Sequence, residues 1–219
     1  MGRRRGRRAF GRWALRLALL PAALLLATPA ASDPAEEAAL AESLALARYH
    51  EGFPPEYGAR ITDAGAARLA ELLFDAEYAR HHATLTEALA ASGRPIAFDA
   101  LKAYAEQQAG ERIDFRRFRA LRALPLAMGR LARSDDRALA WLEQAAAKRG
   151  PAPFHTRSAD AATVGRRLRL QALYGLAVSG RPEALALLRA AAASDDPRDA
   201  VVARDALETH AKAAAEAAR

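Results

Sequence analysis

Cysteine is absent from the 219-residue sequence. That excludes a disulfide scaffold, a Cys-based zinc site, a thiol nucleophile and lipid anchoring at an N-terminal cysteine. Aromatic residues are scarce at 6%, whereas alanine contributes 60 residues, over a quarter of the chain. Alanine is the best helix former and a weak strand former, so a sheet-dominated fold is not expected. Apolar residues still reach 52%, too many for a chain disordered throughout.

Acidic residues are missing from the first 31 positions, where Arg3, Arg4, Arg5, Arg7, Arg8, Arg12 and Arg16 stand. These seven arginines are the whole of the formal charge of +7, because 26 basic residues face 26 acidic ones from Ser32 onward. A pI near 10.3 would otherwise point to nucleic acid. With the excess confined to one end, no nucleic-acid partner is expected.

The first segment reads as an export signal. MGRRRGRRAFGR is a positive leader, and WALRLALLPAALLLA is an apolar stretch of 15 residues interrupted by Pro21. That is short of the roughly 20 residues a spanning helix needs. Thr28-Pro29-Ala30-Ala31-Ser32 offers the small side chains of a cleavage site; a retained amphipathic anchor is the alternative. Arg7-Arg8-Ala9-Phe10 resembles the core of a twin-arginine signal, but the leucine-rich stretch suits the general secretory route as well. The expected location is the periplasm or cell envelope. Without disulfides, stability there must come from packing.

The remaining sequence reads as helices separated by short punctuation. Ala35 to His50 is helical with acids in its first turn, and the prolines of Phe53-Pro54-Pro55-Glu56-Tyr57-Gly58 break it. Thr62 or Asp63 caps a helix with Leu69, Leu72 and Leu73 on one stripe. A helix over His82–Ala91 stops at Ser92-Gly93-Arg94-Pro95, where Gly93 suits a left-handed cap and Pro95 opens the next helix. That helix carries Ile96, Phe98, Leu101 and Tyr104. Asp114 caps a long arginine-rich helix expected to kink at Pro125. Gly150 to Asp160 is the longest loop.

The octapeptide Ala88–Pro95 (ALAASGRP) recurs as Gly175–Pro182 (GLAVSGRP), 87 residues later, with a related apolar pattern at Ala138–Leu142 between them. The unit of 41–46 residues with two helices lies in the range of HEAT and armadillo arrays. Neither helix of such a pair buries its stripe alone, so successive pairs stack. Ala88, Ala172 and Gly175 would permit close approach, while Leu89, Leu101, Leu176 and Leu188 supply apolar area. From about Thr62 onward the chain resembles bacterial HEAT-repeat proteins, including the HEAT-like repeats of phycobilin lyases. The resemblance implies an all-α fold, a short α-solenoid of stacked helical hairpins. The expected division is a signal at 1–31, an N-terminal helix and Pro-rich loop at 32–61, and a repeat array with a C-terminal capping helix at 62–219.

The chemical readings are weaker. Deoxyhypusine hydroxylases resemble this architecture and hold di-iron through paired His-Glu dipeptides, but His50-Glu51 is the one such dipeptide and precedes the repeats. Glu77 and His81, four residues apart, would form a two-ligand edge on one helical face, where a metal site needs three or four ligands. A solvated turn is the plainer reading. His155 is a candidate acid or base, because an unperturbed imidazole titrates near neutrality, but it has no motif-defined partner. GxSxG, HExxH, Walker A and GxGxxG patterns do not occur. No catalytic residue, cofactor or metal is therefore expected.

Arg112, Arg116, Arg119 and Arg122 follow 4, 3, 3 spacing and would share a helix face, with Arg166, Arg167 and Arg169 one repeat later. Stacking would align them into a basic strip for carboxylates or phosphates; the alternative is a solvated face paired with Asp and Glu. Trp141 is expected in the core, and Phe53 and Tyr57 against the first helices. The reading is an exported non-catalytic module binding a protein partner of unknown identity. Two alternatives are an envelope protein whose arginine strip binds anionic polymer or lipid head groups, and a lyase-like enzyme or accessory factor.

Overall fold

A computed structural model describes residues 33–218 apart from 51, 109–111, 148–154 and 158. The export-signal reading of residues 1–31 lies outside the described residues, as does much of the Gly150–Asp160 loop. The fold is all-α. Among the described residues nine α-helices follow in order: α1 (Pro34–Leu46), α2 (Asp63–Phe74), α3 (His82–Ser92), α4 (Pro95–Gln107), α5 (Phe115–Leu131), α6 (Asp136–Ala146), α7 (Ala161–Ser179), α8 (Ala184–Ala192) and α9 (Pro197–Ala217). Two 3-10 segments, Pro55–Arg60 and Ala76–Tyr78, lie between α1 and α3. Among the described residues the one extended pairing is an isolated bridge between Arg112 and His155.

Helix starts follow the local chemistry. Asp33, Thr62, Asp114, Asp135, Asp160 and Asp196 each accept a backbone N–H of the first turn, answering a donor that has no partner within the helix. Thr62, not Asp63, caps α2. Helix α1 ends at Leu46, four residues before the expected His50. Ala47 turns into extended backbone, and the Tyr49 hydroxyl donates to the Leu44 carbonyl at 2.9 Å. Tyr49 also stacks edge-on with Phe53 at 5.6 Å. The Phe53 amide in turn donates to Glu87 on α3 at 2.6 Å, which ties the proline-rich loop to the core. Phe53 is buried there, as expected.

The repeated octapeptide makes the same turn twice. Gly93 and Gly180 both sit in the left-handed region, at φ 62 and 64, where a side chain is strained. Ser92 and Ser179 each donate to a carbonyl three residues back at 2.6 Å and accept from the Arg94 or Arg181 amide at 3.2 Å. Their arginines reach backward to the preceding hairpin: Arg94 to Asp63 at 3.6 Å, Arg181 to Asp136 at 2.9 Å. Between them Arg137 bridges to Asp99 at 3.3 Å and lies over the Phe98 ring. The three pairs link the N-terminal turns of α2, α4, α6 and α8.

Packing follows a regular order. Helix α3 packs on α5, α5 on α7 and α7 on α9, while α6 and α8 lean on α7 and α9. Helix α1 packs on α2, and Ala41, Ala45, Phe53 and Ile61 join the same core as the later helices. Leu89, Leu101, Leu176 and Leu188 are all fully buried, each contributing about 1.5–3 kcal/mol of transfer free energy. Trp141 is half-buried against this core. Ile96 is 40% exposed, because Ala97, Phe98, Leu101 and Tyr104 define the inward face of α4. Helix α5 continues through Pro125 without interruption.

Candidate functional site

The arginines predicted to form one strip divide into two groups. Arg112 is not on the helix with the others. The Asp114 side chain accepts the Arg117 amide at 2.9 Å and starts α5 at Phe115, leaving Arg112 in the preceding extended segment, whose Ile113 amide donates to the His155 carbonyl at 3.0 Å. Arg116, Arg119 and Arg122 do lie on α5, one turn apart and exposed. On α7, Arg166 pairs with Asp196 at 3.8 Å and Arg169 makes a tighter pair with Asp199 on α9. Asp199 is buried, so this pair belongs to the α7–α9 contact and not to a recognition surface. For Arg166 and Arg169 the paired reading holds. Arg167 remains exposed on the opposite side.

Three concavities are lined by exposed arginines. Arg112, Arg157 and Arg167 line one of about 640 Å³ together with Asp114 and Phe118. Arg80, Arg116 and Arg119 line a second of about 180 Å³. Arg80 and Arg119 also border a third of about 590 Å³, which Arg48, Tyr49, His50, His81 and Thr84 complete. Phe115 is the wall shared by the first and second and is 72% exposed. Arg122 borders none of the three.

The third concavity was not legible in the sequence, because its arginines come from positions 48, 80 and 119 on three separate elements. Only the local run Arg80-His81-His82 hinted at it. The 3-10 segment Ala76–Tyr78, capped by Asp75, ends in a turn that projects Arg80 and His81 before α3 begins. For that reason Glu77 and His81 do not share a helical face, and the two-ligand edge weighed against a solvated turn does not form. Among the described residues no group of three acidic or imidazole side chains is placed to hold a metal.

The two neighbouring histidines do different work. His82 is buried, its ring 3.1 Å from the Tyr104 hydroxyl and 3.0 Å from the Asp75 carbonyl. A carbonyl only accepts, so Nε2 carries the proton and Nδ1 accepts from Tyr104. Burial holds the His82 pKa below its usual value and pushes the Tyr104 phenol up to about 12. His81 is half-buried and accepts from Arg80 Nε at 2.9 Å. Its pKa is lowered by burial first, then by the charge of Arg80. His155 is exposed and serves through its backbone carbonyl.

Among the described residues, no carboxylate forms an ion pair with Arg48, Arg80, Arg116 or Arg119. Guanidinium groups stay charged and present planar forks of donors, so this surface can engage oxyanions. Comparison with known proteins finds no counterpart: no family model, no curated protein and no solved structure matches the chain.

Proposed function

We propose that this chain is an exported, non-catalytic interaction module, a short stack of HEAT-like helical hairpins that docks a protein partner by its arginine-bearing face. The observation that carries the reading is a division of labour among polar side chains. His82 and His210 bond backbone carbonyls inside the fold, and Ser92 and Ser179 close turns. Arg94, Arg137 and Arg181 link one hairpin to the next. Arg116, Arg119, Arg122 and Arg167 are left for an outside partner.

The repeat reading draws support from the linking arginines, which recur at intervals of 43 and 44 residues, within the span of HEAT units. Packing of α3, α5, α7 and α9 in series is what stacked hairpins require. The proposed partner presents carboxylates to α5, with recognition by charge and shape along the helix row.

A second reading, attachment to anionic polymer or lipid head groups in the envelope, is favoured by one feature. Phe115 stands largely exposed between arginine-lined concavities, an arrangement suited to an interface with an apolar layer beneath charged groups.

The test is affinity capture from the envelope fraction with the parent chain and with R116E/R119E, at low and moderate salt. A protein partner retained at moderate salt by the parent and released by the variant is the expected result. The same partner held by both would refute docking through α5. Recovery of anionic polymer or lipid only, and only at low salt, would select the second reading. N-terminal sequencing of the envelope-associated protein tests export; a start at Met1 or Gly2 contradicts cleavage.

A further inference from the structure

We infer that the concavity bordered by the α1 C-terminal link, the turn before α3 and α5 binds a phosphate monoester group, with Arg48, Arg80 and Arg119 holding its oxygens. The inference rests on the proposed role of the arginine face and names a ligand class for one part of it.

Three guanidinium groups from three elements border one space of about 590 Å³, joined by His50 and His81, and among the described residues no carboxylate lines it. Their charges are not cancelled by ion pairs among the described residues. A lone carboxylate brings one charge and two oxygens in a plane, too little for three forks approaching from different elements. A phosphate monoester brings up to two charges and three free oxygens in a tetrahedral spread, the geometry that convergent arginines satisfy.

The hydrogen bonding of His81 fits the same ligand. Its Nε2 accepts from Arg80, so Nδ1 carries a proton in the neutral ring as well as in the cation and is a donor in both states. That bond also fixes Arg80, so part of its ordering cost is met before a ligand arrives. The Tyr49 hydroxyl is committed to the Leu44 carbonyl, which leaves its ring as lining. Leu46, Ala47 and Tyr49 thus form an apolar flank for whatever the phosphate is attached to. The neighbouring concavities fit less well: one includes the Asp114 carboxylate, and the other, at about 180 Å³, is much smaller.

Two probes separate the sources of such a group. Phenyl phosphate, a soluble phosphate monoester, is titrated into the protein by calorimetry at low ionic strength, and sedimentation is followed with phosphatidylcholine vesicles with and without phosphatidic acid. Both are run on the parent chain, on R48Q/R80Q, and on R198Q/R204Q, which removes the same charge from exposed positions of α9. Neither Arg48 nor Arg80 forms an ion pair with a described residue, so the first variant should fold. The expected result is saturable binding of one probe, weakened about tenfold or more in R48Q/R80Q and unchanged in R198Q/R204Q. Saturation by phenyl phosphate identifies a soluble ligand; binding of phosphatidic acid vesicles alone identifies a lipid. No binding of either probe, or equal weakening in both variants, overturns the inference. Because R48Q/R80Q retains Arg116 and Arg119, capture of the protein partner by this variant reports on the docking proposal separately.

Discussion

Gly129 on α5 and Gly175 on α7 meet backbone to backbone. A Cβ at Gly129 would overlap the Gly175 carbonyl, and a Cβ at Gly175 would overlap the Pro125 carbonyl. The α5–α7 packing thus depends on two missing side chains. Either residue changed to Ala should destabilise the protein by about 1–3 kcal/mol through overpacking, seen as a lower urea midpoint at unchanged slope. Gly165, also on α7, has open space where its Cβ would lie. There the same substitution should raise stability by about 0.5–1 kcal/mol through helix propensity, so one mutation type takes opposite signs on one helix.

Acid should weaken the fold through His82. Its pKa is lowered in the folded state from the ordinary 6.5 because burial disfavours the cation. The unfolded chain therefore binds the proton more readily. The associated stability is complete above pH 6.5 and drains away as pH falls through the lower folded value. Arg117, Asp114 and Asp75 are the charged groups that act on it. Urea midpoints measured across this window should fall more steeply in the parent chain than in H82Q. Tyr104→Phe leaves Nδ1 of His82 without its donor and should cost about 1–3 kcal/mol at neutral pH.

Removing Arg169 should be costly in a way that removing Arg116 is not. Asp199 is buried against Arg169, and Arg169→Met strands its carboxylate, an expected loss of about 3 kcal/mol. Adding Asp199→Leu should recover much of that loss, a coupling that a double-mutant cycle in thermal unfolding would read directly.

Helix capping gives a smaller and local effect. Asp135 accepts the Arg137 amide at 2.9 Å and also holds the Arg137 guanidinium. Asp135→Ala should cost about 0.5–2 kcal/mol and raise amide exchange first in the opening turn of α6. Exchange rising equally in α3 would contradict a local role.

Much of the helical pattern was legible because its signals are short-range. Asp114 as a cap, Gly93 as a left-handed stop and the 3.6-residue leucine stripes all act within a few residues of themselves. The burial of Leu89 and Leu176 followed from those stripes. Misreadings arose where distant residues decide the outcome. Helix α1 ends early because Tyr49 finds Phe53 and takes the Leu44 carbonyl. Arg166 and Arg169 looked like members of a basic strip until α9 brought Asp196 and Asp199 beside them. The cluster of Arg48, Arg80 and Arg119 was barely legible for the same reason, since charge counted along the chain does not record which elements become neighbours.

The serial packing of α3, α5, α7 and α9 has a kinetic consequence. Each helix finds its main partners one or two elements away, so little loop must be closed before a contact is rewarded. A hairpin leaving a ribosome already carries most of the surface it needs, and order can spread from it toward either end. Pulled from its termini, the protein should release its helices in a sequence of small steps, outermost first, and recover them in the reverse order.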